Sequence, residues 1–189
     1  MSHGTDLRHD AASLEAAFFT GENADLLDEL RRKTDEGERR AMLREVVKIR
    51  DEKFLDRLVA LGITPETALA VALIPLVVVA WADGKLEDRE REAILKAAQE
   101  RGVAADRIAR RLLANALARR PDPKLLAIWK AYVGRLWGRF TADESWQMRS
   151  NVLRSTREVA ESAGGFLGIT SKISAEERRV LEDLEKLLD

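Results

Sequence analysis

The residues with the clearest capacity for chemistry stand in one short stretch, Asp83-Gly84-Lys85-Leu86-Glu87-Asp88-Arg89-Glu90, which places four carboxylates within eight positions. Carboxylates in such density suit two tasks, ligation of a hard divalent cation and general acid–base work on a substrate. Asp83, Glu87 and Glu90 are the candidate metal ligands, with calcium, magnesium or manganese as the candidate ions. Calcium requires six to eight oxygens and magnesium an octahedral set. Lys85 and Arg89 stand among the carboxylates, and that favours charge pairing and helix capping over ion binding.

Other chemistries are poorly provided for. The chain has no cysteine, so disulfides, thiol catalysis and thiolate metal sites are excluded. Its two histidines, His3 and His9, lie near the N-terminus, which leaves no histidine for a catalytic or zinc centre in the core. No phosphate-cradling glycine loop, Gly-x-Ser-x-Gly, His-Glu-x-x-His or dinucleotide fingerprint occurs. A metal-dependent hydrolase or transferase built on the acidic stretch is therefore the secondary reading, and a non-catalytic binding module the primary one.

These carboxylates must be positioned by what precedes them. Ala68 to Ala82 is uncharged, with Pro75 in its middle, and polarity reverses abruptly at Asp83. At helical rise the fifteen residues cover about 22 Å. A bilayer core is about 30 Å thick. The stretch therefore predicts a helix buried in a protein core, capped by Thr64, started by Pro65 and kinked at Pro75, where a freed carbonyl needs a partner. A helix apolar all round has to be surrounded by others.

The remaining chain supplies them. Charged residues make up 34% of the 189 and aromatics 5%, the bias of an all-α protein. Helical apolar stripes recur throughout. Thr34 is read as a cap, as are Asn23, Asp51 and Asp122, and Gly21, Gly62, Gly102 and Gly164-Gly165 as stops. Thr141 to Glu144 and Ser174 to Glu177 are capping-box patterns. Trp129, Tyr132, Val133, Leu136, Trp137 and Phe140 share one helix face, read as core; Gly134 and Gly138 beside it are candidates for close helix approach or self-association. The sum is a single multi-helix bundle of about ten helices without strands. Residues 1–10 are expected to be a flexible leader, 11–62 an N-terminal helical extension and 63–189 the main helical domain.

Net charge is −1 and the arginines of residues 31–44 alternate with acids, so no nucleic-acid surface is expected. Met1 to Asp10 has no apolar targeting core, and cytoplasmic residence is the expectation.

Two segments resemble each other. Lys85-Leu86-Glu87-Asp88-Arg89-Glu90-Arg91 aligns with Lys172-Ile173-Ser174-Ala175-Glu176-Glu177-Arg178, each after an apolar helix and a glycine turn. Val78-Val79-Ala80-Trp81-Ala82-Asp83-Gly84-Lys85-Leu86 with Glu90 and Ile94, and the later Val159 to Gly165 with Lys172-Ile173-Ser174, resemble the tellurite-resistance TerB-like family across roughly residues 65–188. The resemblance implies a compact helical bundle with pseudo-repeated helix-turn-helix halves. It also implies a role in tellurite, metal or general stress response through a protein partner or a divalent cation at the Asp83 turn. The second half departs from the first in carrying Gly164 where the first carries Asp83.

Overall fold

The computed structural model describes residues 3–33, 35–49, 51–86, 88–100, 104, 107–166 and 174–188. They form ten helices: α1 (His3–Phe18), α2 (Glu22–Lys33), α3 (Glu36–Val47), α4 (Glu52–Ala60), α5 (Pro65–Ala80), α6 (Asp88–Glu100), α7 (Arg107–Leu117), α8 (Leu125–Trp137), α9 (Ala142–Phe166) and α10 (Ala175–Leu188). No strand occurs among the described residues.

Helix α5 is the centre of the bundle. It packs against α1, α3, α7, α8, α9 and α10, and of its sixteen residues only Ala72 and Val78 are not buried. Burial of each large aliphatic side chain here contributes about 1.5–3 kcal/mol, which secures a helix that has no polar face. Its start follows local chemistry. The Thr64 hydroxyl accepts the Thr67 N–H at 3.1 Å, and Pro65 occupies the first turn, where a missing N–H is harmless. No described helix is long and apolar enough to cross a membrane.

Pro75 creates the one internal problem of α5. Lacking an N–H, it cannot bond the carbonyl of Val71 four residues earlier. That carbonyl instead accepts the indole N–H of Trp129 on α8, at 3.0 Å, in a fully buried contact. The proline in α5 and the aromatic face of α8 are thus linked by one hydrogen bond. Trp129, Tyr132, Val133, Leu136 and Trp137 are all buried, and Phe140 stacks edge-on to Phe54 with ring centroids 5.1 Å apart.

The first helices belong to the same core, which runs without interruption from Leu7 to Leu188. α1 lies on α5 and α8, α2 on α7, and α3 on α5. The expected flexible leader is instead the start of α1: the helix begins at His3, Leu7 is buried and Asp10 pairs with Arg135 of α8 at 2.8 Å. Leu7 extends the stripe of Ala11 and Leu14 by one helical repeat, which carries the apolar face of α1 back to that residue.

Side-chain caps begin α3, α4, α5, α9 and α10. Asp51, Thr141 with Glu144, and Ser174 with Glu177 act as expected. α3 is capped by Asp35, whose carboxylate accepts the Glu38 N–H at 2.8 Å while Glu38 returns a bond to the Asp35 N–H. Thr34, the expected cap, lies outside the described residues, as does Gly102. Gly164-Gly165 does not stop α9, which continues to Phe166. Glycine lowers helix propensity by only about 1 kcal/mol and does not forbid a helix that packing sustains. A Cβ on Gly134 would meet open space, so no helix among the described residues approaches it closely.

Candidate functional site

The acidic turn closes α5. Trp81 N–H bonds the Val77 carbonyl at 3.2 Å, Ala82 N–H that of Val79 and Gly84 N–H that of Trp81, both at 3.0 Å. Gly84 takes φ +83°, a conformation that strains any L residue. Asp83 is exposed, and its Oδ1 accepts the Lys85 N–H at 2.8 Å. The carboxylate is therefore engaged with the backbone of its own turn. Leu86 tucks against the core, and Asp88 pairs with Arg91 at 2.7 Å. Glu90 sits in the first turn of α6, where its charge favours the positive helix end. Glu87 lies outside the described residues. Among the described residues no three carboxylates or histidines converge to hold a metal ion.

A second turn, between α7 and α8, touches the first. It runs Arg119-Arg120-Pro121-Asp122-Pro123-Lys124. Asp122 Oδ1 accepts the Lys124 N–H at 2.7 Å, the same device as at Asp83. The Leu125 N–H bonds the Asp122 carbonyl at 2.9 Å. α8 consequently starts at Leu125, two residues later than the proline pair suggests, and no side chain caps it. The Arg120 guanidinium lies over Gly84, 3.7–3.8 Å from where a Cβ on that glycine would stand.

Beside this junction is a cleft of about 400 Å³. Phe18, Val77, Leu125 and Ile128 give it apolar walls, and Arg119, Arg120 and Lys124 border it. None of the three cations has an ion pair or side-chain hydrogen bond among the described residues. Asn23 also lines the cleft. Expected to cap α2, it instead falls just inside the helix, buried, where its Oδ1 accepts the Asn115 Nδ2–H of α7 at 2.9 Å. Sequence reasoning passed over this site. The available signal was Arg-Arg-Pro-Asp-Pro-Lys itself, a basic cluster whose one acid is committed to its own backbone.

The interior holds a further titratable group. The Tyr132 hydroxyl is buried without a hydrogen-bond partner among the described residues. Burial pushes its proton affinity well above the ordinary phenol range, and the nearby charges of Glu15 and Asp10 push the same way. Glu15 accepts bonds from Thr64 and Thr67, linking α1 to the start of α5. Glu66, fully buried in the first turn of α5, pairs with Arg39 of α3 at 3.1 Å. These groups tie helices together away from both turns.

No protein-family model, curated protein or solved structure matches the chain.

Proposed function

We propose that this chain is a non-catalytic helical binding module whose recognition surface is the end of the bundle where the α5–α6 and α7–α8 turns meet. The observation that carries this reading is the seating of Arg120 over Gly84 beside a cleft bordered by cations that have no acidic partner among the described residues. Charged groups set against apolar walls, on turns held by their own hydrogen bonds, suit ligand capture. A nucleophile paired to a base is not among the cleft's residues. The resemblance of residues 78–94 to the TerB-like family extends the proposal to a metal-linked or stress-related role, with a protein partner or a divalent cation met at the Asp83 turn. Gly84 at positive φ and the inward Leu86 support that extension.

The test combines thermal unfolding with amide hydrogen exchange on metal-stripped protein. Calcium, magnesium, manganese and zinc are added singly at millimolar concentration, and the small-molecule fraction of a cell extract is added separately. An ion present at a hundred times its dissociation constant adds about 2.7 kcal/mol of stability. A melting shift lost in Asp83→Asn assigns the acidic turn to ion binding. Exchange protection confined to residues 81–86 and 118–125 supports the recognition surface. Protection elsewhere, or none in any arm, removes the proposal.

A further inference from the structure

We infer that the cleft bordered by Arg119, Arg120 and Lys124 binds a phosphate monoester carrying a short apolar group. The inference deepens the reading given above and rests on it only in placing recognition at this end of the bundle.

The cleft is chemically divided. Its walls include Phe18 and Leu125, buried side chains of α1 and α8, with Val77 from the last turn of α5 and Ile128 one turn into α8. Such a surface takes an alkyl or aryl group. Its border carries two arginines and a lysine within six residues, none with an acidic partner among the described residues. Asp122, the one carboxylate there, already accepts the Lys124 N–H. Three uncompensated cations match a dianionic headgroup better than a singly charged carboxylate, and guanidinium forks bond the paired oxygens of a phosphate. The uncapped start of α8 borders the same space and adds a favourable field for an anion.

Size and charge limit the alternatives. About 400 Å³ suits one small ligand and not a polymer. The chain as a whole, at −1, has no field to hold nucleic acid. A free inorganic phosphate would leave the apolar walls uncovered, and a neutral apolar molecule would leave the cations unused. The site asks for both properties in one molecule.

The experiment is isothermal titration calorimetry of the full chain with hexyl phosphate, inorganic phosphate and hexanol. Hexyl phosphate is expected to bind one to one, at least tenfold more tightly than either fragment. Arg119→Gln with Arg120→Gln is expected to weaken hexyl phosphate at least tenfold without moving the melting temperature, since both side chains are exposed and unpaired. Competition by phosphatidylcholine vesicles containing phosphatidic acid would assign the headgroup to a lipid, and its absence to a soluble ester; both agree with the site. Absence of saturable hexyl phosphate binding, or binding indifferent to the double substitution, overturns the inference. If metal ions shift the melting temperature of the unsubstituted protein and the shift is lost in Asp83→Asn while hexyl phosphate fails to bind, only the ligand class falls. If exchange protection maps elsewhere, the recognition surface falls with it.

Discussion

Two turns at one end of this bundle use the same local chemistry to different ends. At Asp83 and again at Asp122, a carboxylate accepts the N–H of a lysine two residues on, at 2.8 and 2.7 Å. In the first turn the neighbouring charges alternate in sign and the chain closes on itself through Gly84. In the second, two prolines flank the aspartate and three cationic residues border a cleft. Both carboxylates thus serve their own turn's backbone, and the proposed recognition surface rests on the charges beside the second turn, which have no ion pair among the described residues. Local hydrogen bonding and ligand competence are separate properties, distinguished by what the surrounding helices leave uncovered.

The spacing between the turns depends on the contact of α5 with α8, since α5 leads into one turn and α8 out of the other. Breaking that contact should have the largest effect. Trp129→Phe removes the donor to the Val71 carbonyl and some packing volume, for a loss of about 2–4 kcal/mol. Restoring a backbone N–H with Pro75→Ala should recover part of it. A denaturation cycle on the four proteins checks this, and purely additive losses would separate the proline from the indole.

Next comes the feature the turns do not share. Gly84→Val places a branched side chain at φ +83° beside Arg120, for an expected loss of about 1–2 kcal/mol or more. Thermal unfolding reads it at roughly 2–4 °C per kcal/mol for a chain of this size. A negligible shift would mean that the first turn is as adaptable as the second.

The shared feature should respond equally. Asp83→Ala and Asp122→Ala each remove one backbone-to-carboxylate bond, so each should lower stability by about 0.5–1.5 kcal/mol. Chemical denaturation of both variants sharpens the comparison. A much larger loss at Asp83 would show that its carboxylate has a second role.

The smallest effect at neutral pH is expected from Tyr132→Phe, because no hydrogen bond is lost. The consequence appears in alkali. The folded-state pKa of Tyr132 is raised above an unfolded value of about 10. Above that pH the native state holds a proton that the unfolded state releases, so stability from this group is complete below pH about 10 and falls as pH rises beyond it. Tyr132→Phe should flatten that alkaline loss in denaturation profiles recorded across pH 8 to 11. An unchanged slope would place the titration elsewhere.

The sequence by itself determined what is decided within a turn or two of chain. Thr64 and Pro65 begin α5, Gly62 and Gly84 take positive φ, and the capping boxes at Thr141 and Ser174 close as written, since each needs only partners two to four residues away. The burial of α5 was legible too, because a helix without a polar face has one stable place. Asn23 and Gly164-Gly165 carried the local signals of a cap and a stop, and packing overrode both.

Tertiary structure decided the rest. The partner of the Val71 carbonyl is 58 residues away in sequence, and Asn23 meets Asn115 across 92. Lining the cleft needs α1, α2, α5, α7 and α8 together. No single segment carries a trace of such a space, because a cavity is the volume that side chains from separate helices fail to fill. The acidic cluster was conspicuous in the sequence because it is contiguous. The cationic cleft became visible only when packing showed which charges had no partner.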